Sequence, residues 1–178
     1  MASRSPLPVD PIAEARRQWI AHGWADAAEG VSVVTSIMRA HQLVLAEVDE
    51  ALRPHGLSFA RYEMLRLLAF TREGRMPMAS ATARLQVHAA SVTNVVRRLE
   101  ADGLLRREPH PHDGRAAMLE LTDAGRRLTE DATATLNETV FSRVDLDADE
   151  LTALVGAIAR MRERAGDFRP PRPTPDPL

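Results

Sequence analysis

At Gly103 the spacing of apolar residues changes, and few folds accommodate the change. Ahead of it, over about 89–102, Val92, Val95, Val96 and Leu99 recur at helical spacing. Beyond it, Leu104–Glu108 and Ala116–Leu121 read as two strands around the loop Pro109-His110-Pro111-His112-Asp113-Gly114. A short helix over 77–85, beginning at Pro77, precedes all of this, and Gln86-Val87 make a tight break. At about 100° per residue the four apolar side chains of 89–102 point inward. The opposite face centres on Ala90, Asn94, Arg97 and Ala101, with Ser91, Thr93 and Arg98 beside it.

Helix, turn, helix and hairpin, in that order, make a winged helix-turn-helix. Such a unit lays its second helix in the DNA major groove and sends the hairpin to the flanking backbone or minor groove. The exposed face suits that task. Asn can bond adenine in two places, Arg can do the same with guanine, and Ser or Thr can reach phosphates or bases. Two Ala residues allow close approach. The alternative is a solvated face that happens to carry Asn and Arg, and the hairpin that follows argues against it. Charge points the same way. Residues 57–127 hold 12 Arg against 8 acids, the remainder 11 Arg against 17 acids, and the net charge of −2 hides this split.

The other segments read as helices and tails. Asp10 caps a short helix with Pro11 at its first position, Ile12, Ala15 and Trp19 on one face, and Gly23 as its stop. A long helix over about 26–53 follows. Val31, Val34, Met38, His41, Leu45, Val48 and Leu52 alternate steps of three and four, with Val33, Ile37 and Val44 as a second stripe. So wide an apolar arc predicts burial against more than one neighbour, a second subunit among them. Ser58 caps a helix carrying Phe59, Tyr62, Leu65 and Leu68. Thr122 caps another to about 142, and Asp147 with Glu150 forms a capping box for the last, to about 164. That last helix shows Leu151, Leu154, Val155, Ile158 and Met161 on one face. Residues 1–9 form a polar tail and 166–178 a Pro-rich one. The fold class is mainly α with a small β-hairpin wing, in one domain over 10–165.

Several function classes are excluded. Without Cys there is no disulfide, thiolate metal site or thiol redox sensor. No continuous apolar run reaches the roughly 18 residues of a membrane span, and the N-terminus lacks a signal peptide's apolar stretch. The expectation is a soluble cytoplasmic protein. His110, His112 and Asp113 are the one potential metal cluster, and the missing fourth ligand argues against zinc. Phosphate loops, nucleophile elbows and H-E-x-x-H helices are absent, so no enzyme and no cofactor are expected.

The run from Val87 to Arg107 resembles the recognition helix of MarR-type regulators, as does the later run Asp113-Gly114-Arg115-Ala116 to Leu121-Thr122-Asp123-Ala124-Gly125-Arg126. The resemblance covers about 30–165. It implies a homodimeric transcription regulator, usually a repressor, that leaves a pseudopalindromic operator when a small ligand binds. The DNA-reading set becomes His88, Ala90, Ser91, Thr93, Asn94, Arg97 and Arg98 on the helix. On the wing, Asp113 orients Arg115, which enters a narrow minor groove. A DNA-binding lobe over about 57–122 and dimerisation helices over about 10–55 and 123–165 follow from it. Two departures touch the turn, where Gln86 replaces a frequent Gly and Ala89 a frequent Pro. The extra N-terminal helix with Trp19 resembles that of the urate-responsive branch, where such a helix borders the effector pocket. There Glu63 takes an acidic position, and Arg106 or Arg107 supplies the cation for a small anionic effector. The alternatives are that Trp19 is a core anchor and Glu63 pairs with Arg66, and that the protein is an effector-independent or architectural DNA-binding dimer.

Overall fold

The computed structural model describes residues 7–85, 89–110 and 113–169, and at 89–91, 110 and 113–116 the backbone alone. The chain divides into two compact units, 1–50 and 51–178. The first holds α1 (Pro11–Ala21) and most of α2 (Ala25–Leu52). Asp10 caps α1 as expected, its carboxylate accepting from the Ile12 amide at 2.9 Å. Arg16 Nε donates to Glu29 at 2.8 Å, and Trp19 meets Trp24 edge-on with centroids 5.5 Å apart, so α1 is tied to the first turns of α2. Along α2 the middle of the apolar stripes is open to solvent in the single chain, while Val48 and Leu52 near its end are buried. Val33, Val34, Met38 and Val44 are at least half exposed.

By length and mean hydropathy alone, Ala25–His55 reaches the range of a membrane span, although the sequence holds no continuous apolar run of that length. Ala and Val raise the mean, while Glu29, Arg39, His41 and Gln42 break the run.

Early in the second unit, Arg53–His55 tighten into a 3-10 turn and Gly56 takes a left-handed conformation. Then come α3 (Phe59–Phe70), β1 (Arg75–Pro77), α4 (Met78–Arg84) and α5 (Ala89–Ala101). β2 (Leu105–His110), β3 (Asp113–Leu121), α6 (Asp123–Thr139) and α7 (Ala148–Arg164) complete it. The sheet is antiparallel in the order β1-β3-β2, with Arg75 opposite Glu120 and Leu105 opposite Leu121. The wing is thus a three-stranded sheet rather than the expected hairpin alone. Pro77 ends β1 instead of opening the helix, and β2 and β3 run further toward the loop than their apolar residues indicated.

Leu65 and Leu68 of α3, Val92, Val96 and Leu99 of α5, Leu105 and Leu119 of the sheet, and Leu136 of α6 are all buried. Each such side chain contributes about 1.5–3 kcal/mol by leaving water. Tyr62 Oη and Thr133 Oγ1 lie 3.1 Å apart, and His55 Nε2 and Thr135 Oγ1 2.9 Å apart, which fixes α6 against α3 and the 53–55 turn. Thr122 and Asp147 cap α6 and α7 as the sequence indicates, Asp147 with the full capping box. Ser58 occupies the expected cap position of α3, but its hydroxyl makes no cap bond.

Among the described glycines, Gly125 in the first turn of α6 leaves the least room for a side chain. A Cβ there would overlap the Leu104 carbonyl oxygen and stand 2.9 Å from Leu121 Cδ1. Gly125→Ala is therefore expected to lower stability by about 1–3 kcal/mol through overpacking, read as a lower denaturant or thermal midpoint. An unchanged midpoint would contradict this contact.

Candidate nucleic-acid interface

The two faces of α5 separate as their spacing dictates. Val92, Val95, Val96 and Leu99 are buried, while Thr93, Asn94, Arg97 and Arg98 are exposed. Arg97 Nη2 donates to Asn94 Oδ1 at 2.8 Å. Four members of the candidate set thus lie on one solvent face. The side chains of Ala90 and Ser91, and all of His88, lie outside the described residues.

The far end of α5 is anchored. Arg61 of α3 forms an ion pair with Asp102 and donates through Nη1 to the Gly56 carbonyl at 2.9 Å. Its Nε is buried with no partner among the described residues. Gly103, at φ +70°, turns the chain out of the helix, a conformation a Cβ disfavours. Glu100 then pairs with Arg107 of β2 at 3.3 Å, bracing the start of the wing against the helix. The strands continue to His110 opposite Asp113, with an irregularity between Pro109 and His110. The side chains of the wing candidates Asp113 and Arg115, and the loop residues Pro111 and His112, lie outside the described residues.

Within the 51–178 unit, the expected effector residues Glu63 and Arg106 or Arg107 are not brought together. Trp19 belongs to the 1–50 unit, where it is half-buried and engaged with Trp24. Arg106 pairs with Glu120 at 2.9 Å and Arg107 with Glu100, so both guanidiniums already face a carboxylate on the sheet or the helix end. Glu63 instead lines a groove of about 260 Å³ with Phe59, Tyr62, Arg66, Phe70, Arg84 and Phe141. Neither Arg106 nor Arg107 borders it. The Glu63–Arg66 ion pair also fails to form, because the Arg66 guanidinium lies over the Phe70 ring, 4.2 Å from its centroid. The cations of this groove are Arg66 and Arg84. Arg84 stands in the last turn of α4, and Phe141 in the turn after α6, so only the tertiary fold unites them with α3. Among the described residues no group of His, Asp and Glu could hold a metal ion.

Residues 55–116 match the MarR family. The chain is 42% identical to Sco5413, a MarR family transcriptional regulator from Streptomyces coelicolor, and the match covers 80% of this chain and 99% of that one at a TM-score of 0.70. This chain belongs to the MarR family. It is a DNA-binding transcriptional regulator and not an enzyme. A second MarR family regulator from Streptomyces coelicolor, Sco3205, solved in complex with DNA, is 28% identical over 78% of this chain and 90% of its own, with a TM-score of 0.64. CouR from Rhodococcus jostii RHA1, solved bound to p-coumaroyl-CoA, is 25% identical over 78% of this chain and 95% of its own, with a TM-score of 0.64.

In this MarR regulator Glu63 carries a pKa raised by desolvation. Protonation of Glu63 is therefore easier in the folded protein than in the unfolded chain. The associated stability is complete below the unfolded value, about 4.3, and is lost as pH rises through the folded value. Glu63→Gln is expected to raise the thermal midpoint at pH 7, with the gain vanishing toward pH 4. The same increment at every pH would contradict desolvation as the cause.

Proposed function

We propose that the chain is a ligand-responsive repressor that binds a pseudopalindromic operator in double-stranded DNA as a homodimer, in the cytoplasm. The observation that carries the reading is α5 itself, with Thr93, Asn94, Arg97 and Arg98 exposed on a helix whose opposite side is buried. In this reading α5 enters the major groove with His88, Ala90 and Ser91 at its leading end, and Arg115, oriented by Asp113, reaches the minor groove. Residues 57–122 are the DNA-binding lobe. The helices of 10–55 and 123–165 form the dimer.

Dimerisation is supported by α7, where Leu151, Leu154, Val155, Ile158 and Met161 are all exposed in the single chain. The effector proposed for the groove is a small aromatic anion, since Arg66 and Arg84 supply positive charge beside the rings of Phe59, Tyr62, Phe70 and Phe141. The relative CouR was solved with p-coumaroyl-CoA, a ligand that is both aromatic and anionic.

Gel shifts on DNA upstream of the protein's own gene test the reading. Binding is expected, with release by a member of a panel of aromatic carboxylates; binding that no anion releases would favour the effector-independent alternative. Arg97→Ala is expected to weaken operator binding by about 1–3 kcal/mol and relax one base position. Arg115→Ala is expected to weaken specific and non-specific DNA alike and to flatten the salt dependence. A loss confined to the operator would contradict the wing role. For the dimer, Leu154→Glu is expected to shift the sedimentation coefficient to that of a monomer, and an unshifted dimer would move the interface off α7.

A further inference from the structure

Asn94 and Arg97 invite assignment as two separate base readers, one for adenine and one for guanine. Their geometry argues for a single unit. The two residues are three apart on α5 and share a face, and Arg97 Nη2 sits 2.8 Å from Asn94 Oδ1. A guanidinium can only donate, so the amide must present its oxygen to Arg97. Reading adenine in two places requires that same oxygen to accept from N6 while the amide nitrogen donates to N7, both in the plane of the base. With the oxygen turned along the helix toward Arg97, the amide is not set for that task.

Arg97 is well placed for the other role. Asn94 occupies one N–H of Nη2, which leaves the second Nη2 hydrogen and both on Nη1 to form the fork that matches guanine O6 and N7. The acids nearby are engaged elsewhere, Glu100 with Arg107 and Asp102 with Arg61. Among the described residues no carboxylate pairs with Arg97, so its aim is set by a neutral amide that leaves its charge for DNA.

We infer that Arg97 reads a guanine in each operator half-site and that Asn94 is a positioning residue that aims its guanidinium, with no adenine of its own. The inference rests on the reading of α5 as the recognition helix. The test is competition binding of the full-length protein against half-site libraries carrying every base at each position, for Asn94→Ala, Arg97→Ala, the double variant and Asn94→Asp. Arg97→Ala is expected to lose about ten-fold preference for guanine at one position. Asn94→Ala is expected to erode preference at that same position, and the double variant to bind no more weakly than Arg97→Ala. Asn94→Asp is expected to keep the guanine preference, because a carboxylate still accepts from Arg97 although it cannot donate to adenine N7, whatever the added charge does to total affinity. Losses that multiply and fall on different base pairs, with adenine at the one set by Asn94, would overturn the inference and leave the recognition-helix reading intact. Base preferences unchanged in every variant would overturn both.

Discussion

The junction beneath α5 holds that helix and the wing in register. Thr122 Oγ1 donates to the Gly103 carbonyl at 2.8 Å and accepts from the Gly125 amide at 3.0 Å, while the Thr122 amide donates to the Leu104 carbonyl at 3.2 Å. One side chain thus joins the exit of α5, the start of β2, the end of β3 and the cap of α6. Gly125 is what lets these backbones approach so closely. Together with the Leu104 amide, which donates to the Leu99 carbonyl at 2.9 Å, and the Glu100–Arg107 pair, this contact gives the angle between the wing and α5 a backbone reference.

Ion pairs reinforce the same geometry from outside. Arg61 ties the end of α5 to the Gly56 turn and Arg107 ties the wing to Glu100, while Arg106 pairs with Glu120 across the sheet. Exposed pairs of this kind contribute little to stability individually. Their effect is better described as sorting. Each uses one guanidinium for structure, and Arg97 and Arg98 are left on the face of α5 that the core does not use.

Much of this arrangement was legible in the sequence because it follows from local periodicity. The buried quartet Val92, Val95, Val96 and Leu99 predicts the exposed face of α5, and the caps at Asp10, Thr122 and Asp147 were readable because a short polar side chain there satisfies amides that the helix leaves open. What escaped is non-local. β1 is three residues long and ends in Pro77, so it has no pattern of its own and is defined by pairing with β3 more than forty residues away. The groove cations escaped for a similar reason. Arg106 and Arg107 stand out as a basic pair in the sequence, yet pairing across the sheet and to α5 neutralises them. Arg66 and Arg84 carry no motif, and only the packing of α4 and the turn after α6 around α3 sets them beside Glu63.

The guanidiniums on α5 have one further consequence. All 23 basic residues of these 178 are Arg, so no side-chain amine is available for acetylation, and a guanidinium does not shed its proton in a protein. Among the described residues, Arg97 and Arg98 carry the positive charge on the exposed face of α5. Acetylation of lysine, which would discharge such a face in another chain, has no target here. What remains adjustable is where those charges stand, and the backbone contacts at Thr122 and Gly125 are among those that hold α5 against the wing.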